Sequence, residues 1–146
     1  MERLYTAFKG IHNTSFQLVS KLGCDTVLLT NSFTGLEQDI HSISKDYSAV
    51  YMFGIDKHLK DKVRIEKQAN YNGELINTHF DIGIIESMLL KGNIPYEISV
   101  NPSKYLCNAS FYFMLKRNPN TIFIHIPSST GMSIELMNRL TTAFQK

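Results

Sequence analysis

Asn118-Pro119-Asn120, followed by Thr121-Ile122-Phe123-Ile124-His125-Ile126-Pro127, decides how the chain is read. The first three residues are turn formers. The next six are β-branched or apolar except for His125, and Pro127 stops them. A strand over 121–126 that is apolar at consecutive positions belongs in the interior of a sheet covered on both faces. Just upstream, 103–117 carries apolar residues at helical spacing, with Tyr105-Leu106-Cys107-Asn108 in its first turns. Before that helix, 96–100 reads as another strand.

Working outward, strand and helix patterns alternate along the chain. Strands are expected at 3–6, 26–30 and 49–53, the second and third buried on both faces. Asn13 or Thr14 caps a helix running to Leu22, with Gly23 as its stop. Thr34-Gly35-Leu36-Glu37 has the form of a capping box opening a helix to about Lys45. Residues 55–79 are less regular, with 62–69 extended and Asn70-Tyr71-Asn72-Gly73 a turn. A helix follows over 81–90, ended by Gly92-Asn93, and the last helix starts near Met132, with Leu136, Met137, Leu140 and Phe144 on one stripe. This alternation predicts an α/β fold, a three-layer α/β/α sandwich with a largely parallel central sheet, in a single domain over 1–146. Ligands are expected at the carboxyl ends of its strands.

Composition narrows the function. The net charge is +2, and the basic stretch from Lys57 to Lys67 is broken by Asp61 and Glu66, which argues against a nucleic-acid partner. No apolar run is long enough to span a membrane, and the charged start Met1-Glu2-Arg3 lacks a signal-peptide core, so a cytoplasmic location is expected. Two cysteines do not make a disulfide framework. The five histidines at 12, 41, 58, 79 and 125 show no ligand spacing, so neither a metal nor another cofactor is expected.

Cys107 and His125 lie 18 residues apart. A helix over 103–117 runs back roughly 20 Å at 1.5 Å per residue. The strand after it returns roughly 17 Å at 3.3 Å per residue. If 96–100, the helix and 121–126 form a parallel βαβ unit, His125 arrives at the edge that holds Cys107. A thiol becomes a strong nucleophile as thiolate, and a helix N-terminus or an imidazole lowers its pKa. A small core cysteine and a packed core histidine are the structural alternatives, and Cys24, with no histidine in register, is read that way.

Tyr105-Leu106-Cys107-Asn108 and Phe123-Ile124-His125-Ile126-Pro127 resemble motifs of the pyroglutamyl peptidase I (pyrrolidone carboxyl peptidase) family. Gly92-Asn93-Ile94-Pro95, Thr6-Ala7-Phe8, Gly54 and Ile65-Glu66-Lys67-Gln68-Ala69-Asn70 also resemble it, in order along residues 4 to 127. The resemblance implies a cysteine peptidase that hydrolyses the amide after an N-terminal pyroglutamyl residue. It implies Cys107 as nucleophile, His125 as its base, Glu66 as third member and Phe8 as part of the ring pocket. Ile11 stands where a second pocket phenylalanine would be, and Ser103 where a glycine precedes the nucleophile motif. The 41 residues from Glu66 to Cys107 imply a shortened loop near the site. A peptide with a blocked N-terminus or a small amide is then the expected partner, and self-association into a homo-oligomer is compatible. The alternatives are a non-catalytic or re-purposed relative that binds a peptide terminus or small lactam, and another thiol-dependent amidase.

Overall fold

The computed structural model describes residues 2–145. Its six-stranded sheet has the order β2-β1-β3-β8-β4-β7, built from β1 (Arg3–Phe8), β2 (Asp25–Leu29), β3 (Ala49–Ile55), β4 (Val63–Glu66), β7 (Tyr96–Ile98) and β8 (Thr121–Ile126). β2, β1, β3 and β8 run parallel. β4 is antiparallel to β8, and β7 is parallel to β4. The strand expected at 96–100 is therefore three residues long and runs opposite to β8, not as its βαβ partner. The intervening helix still brings Cys107 to the right edge, because α4 (Tyr105–Arg117) descends from the carboxyl end of β8 and the chain climbs back as β8.

Helices cover both faces. α1 (Thr14–Val19), α3 (Ile82–Lys91) and α5 (Ile134–Phe144) pack Leu18, Ile85, Leu89, Leu136, Leu140 and Phe144 on one side. α2 (Phe33–His41) and α4 pack Leu36, Ile40, Phe111 and Met114 on the other, against Leu4, Met52 and Phe123. The result is a three-layer α/β/α sandwich with a mostly parallel sheet, as the alternation predicts. Burying a side chain such as Phe123 from both layers contributes about 2 kcal/mol.

Local chemistry sets the element ends. Asn13 caps α1 by accepting from Ser15 N and Phe16 N. α2 starts a turn earlier than the capping-box reading places it: Ser32 Oγ accepts from Gly35 N at 3.1 Å, so Ser32 is the cap, and the helix ends at His41, short of Lys45. β2 is not buried on both faces. It is the sheet's edge, paired only to β1, and its first two residues are exposed. Asn72 (φ 51) and Gly73 (φ 79) turn β5 (Gln68–Tyr71) into β6 (Glu74–Asn77), a hairpin whose two positive φ values suit Asn-Gly.

The loop from β3 to β4 is closed by Gly131. Its carbonyl accepts from Asp61 N at 2.9 Å, and a Cβ at Gly131 would collide with the Leu59 carbonyl oxygen. Because the opposing atom is backbone, it cannot rotate away. Gly131→Ala is expected to lower the unfolding free energy by about 2 kcal/mol, read as a lower urea midpoint with an unchanged slope. An unchanged midpoint would contradict this packing.

Candidate active site

The carboxyl edge of β3 and β8 carries the chemistry. Gly54 of β3 and His125 of β8 are register partners, and Arg64 of β4 faces His125 from the other side. Glu66 lies two residues beyond Arg64, so both side chains project from the same face of β4. Above this row, Cys107 occupies the first turn of α4. A Cβ built on Gly54 would lie 2.8 Å from Cys107 Sγ and 2.7 Å from the Phe123 ring, so the missing side chain is what lets the thiol descend beside His125. Gly54→Ala is expected to lift Cys107 off this row and cut activity by at least about tenfold, with a stability loss of about 1–3 kcal/mol. Wild-type turnover in that variant would show that the close approach is unimportant.

His125 Nδ1 lies 3.1 Å from Glu66 Oε2, with the residues 3% and 1% exposed. Arg64 Nε donates to the same Oε2 at 2.8 Å, and Arg64 Nη2 donates to Asp56 Oδ2 at 2.6 Å. Arg64 Nη2 also lies 3.5 Å from His125 Nδ1. Guanidinium has no acceptor, so Arg64 and Glu66 favour opposite tautomers. The anionic oxygen, closer by 0.4 Å, wins: Nδ1–H donates to Glu66, and Nε2 is the ring nitrogen left for a proton from Cys107. Glu66 Oε1 is buried without a hydrogen-bond partner.

Burial alone would raise the Glu66 pKa. Hydrogen bonds from His125 and Arg64 and their charges outweigh it, holding the carboxylate below its usual range. Cys107 behaves otherwise. Burial first, then the Glu66 and Asp56 carboxylates, push its thiol up to about 12, opposed by Arg64. The lowering expected from a helix N-terminus is thus overridden, and Cys107 rests as a thiol whose proton leaves only when a base takes it.

A cavity of about 730 Å³ opens here, lined by Asp56, Arg64, Glu66, Cys107 and His125 and walled by Ser99–Leu106 residues including Ser103. Lys57, His58, Lys104 and Tyr105 also line it. A larger groove of about 940 Å³ between α3 and α5 has no cysteine or histidine in its wall, so the chemistry selects the smaller cavity. Of the residues singled out from sequence, the fold gathers Cys107, His125 and Glu66. Phe8 and Ile11 do not line the cavity: Phe8 is buried in the cluster beneath α4 against which Cys107 packs, and Ile11 is 73% exposed between β1 and α1. Cys24 is half-buried against the opposite core.

Arg64 and Asp56 escaped the sequence reading. Their signal was present: Arg64 precedes Glu66 by two in an extended segment, and Asp56 follows the apolar run of β3 at its carboxyl end. Asn108 explains why an asparagine follows the nucleophile, since its side chain accepts from Asn70 N at 2.9 Å and donates to Asn70 O at 2.6 Å. That double bond ties the start of α4 to β5, just beyond Glu66. Among the described residues, no group of three or more His, Cys, Asp or Glu is placed to hold a metal ion.

No protein-family model and no curated protein sequence matches the chain. Solved structures do. Pyrrolidone carboxyl peptidase from Thermus thermophilus superposes with a TM-score of 0.78 at 18% identity, over 97% of this chain and 97% of that one. The enzyme from Fervidobacterium islandicum gives 0.79 at 18%, over 97% and 93%. Pyroglutamyl peptidase I from Bacillus amyloliquefaciens gives 0.79 at 18%, over 98% and 93%. The chain therefore has the fold of the pyrrolidone carboxyl peptidases.

Proposed function

We propose that the protein is a cysteine peptidase that hydrolyses the amide bond after an N-terminal pyroglutamyl residue, with Cys107 as nucleophile, His125 as base and Glu66 as its orienting carboxylate. The observation that carries this reading is the convergence of Cys107, His125 and Glu66 in one cavity, with His125 Nδ1 held on Glu66 at 3.1 Å. The Cys107 proton passes to His125 Nε2 as Sγ bonds to the scissile carbonyl carbon. The tetrahedral intermediate collapses, the C–N bond breaks, and Nε2–H protonates the leaving amine. Water, deprotonated by Nε2, then attacks the thioester, and the proton returns to Sγ as pyroglutamate leaves.

A resting thiol fits this scheme, because the imidazolium appears only during attack, beside Glu66. For the oxyanion, the first turn of α4 supplies backbone N–H groups that have no intrahelical acceptor, and Lys104, its N-cap, makes no side-chain capping bond. Such a donor is worth about 3 kcal/mol. Both cysteines are free thiols, in keeping with a reducing compartment. No helix among the described residues is long and apolar enough to cross a membrane.

The positions of Phe8 and Ile11 outside the cavity wall favour a second reading, in which the protein binds a peptide terminus or small lactam without cleaving it. The two separate on a pyroglutamyl chromogenic amide. Hydrolysis abolished by iodoacetamide is expected; a folded protein inert on a panel of such amides, yet shielding Cys107 from alkylation when they are present, would transfer the reading to a binding role.

A further inference from the structure

We infer that Arg64 and Asp56 are positioning residues of this site: Asp56 holds the Arg64 guanidinium, which in turn fixes Glu66 Oε2 on His125 Nδ1. The inference rests on the cysteine-peptidase reading and extends the working unit from three side chains to five. Arg64 bridges two carboxylates from different strands, Nε to Glu66 at 2.8 Å and Nη2 to Asp56 at 2.6 Å, and all three are largely buried. A planar fork suits that task, whereas an ammonium group offers no such paired geometry.

Two consequences set this apart from an ordinary ion pair. The Nη2 that Asp56 holds is the one 3.5 Å from His125 Nδ1. Freed from Asp56, it would compete to donate to Nδ1, which puts the proton on Nε2 and leaves no acceptor for the Cys107 thiol. Charge gives the second consequence. Asp56, Arg64 and Glu66 together carry one negative charge, which the imidazolium formed during attack neutralises. Without Asp56 the group is neutral at rest and proton transfer to His125 leaves a net positive charge in a half-buried site. Without Arg64, Glu66 is a buried carboxylate whose only polar partner is an imidazole.

The test uses the full chain in a Cys24→Ser background, so that Cys107 is the single thiol. Asp56→Asn, Arg64→Lys, Arg64→Met and the Asp56→Asn/Arg64→Met pair are compared by kcat and KM, by 15N NMR of the His125 ring, and by iodoacetamide rate at pH 9. Asp56→Asn is expected to lower kcat about tenfold with KM little changed, the equivalent of one partly screened charge interaction, and to shift the ring toward Nε2–H. Arg64→Met is expected to lose roughly 100-fold in kcat, and Arg64→Lys to recover only part of it. The double variant should lose no more kcat than Arg64→Met, because Asp56 acts through Arg64.

Alkylation separates positioning from damage. Asp56 raises and Arg64 lowers the Cys107 pKa, so Asp56→Asn should react several-fold faster and Arg64→Met several-fold slower. Partial unfolding would speed both. Additive kcat losses, an unmoved tautomer in Asp56→Asn, or alkylation changing in the same direction in both variants would overturn the inference. A wild-type chain that cleaves no pyroglutamyl amide would sink the peptidase reading instead, while the ring tautomer and alkylation arms, which need no substrate, still decide the roles of Arg64 and Asp56.

Discussion

Cys107→Ser is expected to lower kcat/KM on a pyroglutamyl amide by about four orders of magnitude or more, with the unfolding midpoint within about 3 °C of wild type. The argument is local. Sγ lies above Gly54 in the first turn of α4, and a hydroxyl in the same rotamer is smaller and draws back from the carbonyl carbon. Its proton is also harder to remove. The site already pushes a thiol up to about 12 through burial and the Glu66 and Asp56 carboxylates, and the same groups act on an alcohol whose starting pKa is far higher. His125 cannot bridge that difference. Stability should barely move, because Cys107 makes no side-chain hydrogen bond to His125 and packs only partly into the cluster under α4. Circular dichroism and thermal melts beside initial rates decide the case: retained turnover in a folded Cys107→Ser protein would remove Cys107 from the nucleophile's role.

How far the sequence carried the fold follows from which residues hold it. Strands buried on both layers, β3 and β8, are legible because every position is apolar, and His125 stands out against that background. β2 misleads, since Thr26-Val27-Leu28-Leu29 looks like an interior strand, yet edge placement depends on which neighbour it lacks. The direction of β7 and β4 was hidden for a similar reason. Antiparallel pairing to β8 is set by the hairpin and α3 packing between them, not by any pattern within Tyr96–Ile98. At the site, Cys107, His125 and Glu66 were visible because residue type and motif coincide. Asp56 and Arg64 were not, because a charged residue near a loop reads as solvated surface until the sheet brings two strands together. Phe8 and Ile11 show the reverse: a motif position does not by itself place a side chain in the cavity.

Glu66→Gln is expected to reduce kcat roughly 100-fold, well short of the roughly 10⁴-fold that follows when an amide forces the catalytic imidazole into the wrong tautomer. Arg64 makes the difference. An amide nitrogen at the Oε2 position would face the Arg64 Nε–H, donor against donor, so the amide oxygen stays there and continues to accept from both Arg64 and His125 Nδ1. The proton remains on Nδ1, Nε2 remains the base, and only the charge that stabilises imidazolium is lost. The amide nitrogen then occupies the position of Oε1, buried with no hydrogen-bond partner, at a cost of about 1–3 kcal/mol. Loss of the pairing with Arg64 adds to this, and its pH dependence has a definite sign. Because the folded-state Glu66 pKa lies below the unfolded value near 4.5, the carboxylate stabilises the fold fully above that value and loses its contribution as pH falls through the folded one. The stability gap between wild type and Glu66→Gln should thus be constant from neutral pH down to about 4.5 and close at lower pH. Combining Glu66→Gln with Arg64→Met removes the donor that fixes the amide, so the ring can flip, and kcat should fall toward the larger loss. If Glu66→Gln alone already shows that larger loss, Arg64 does not orient this carboxylate.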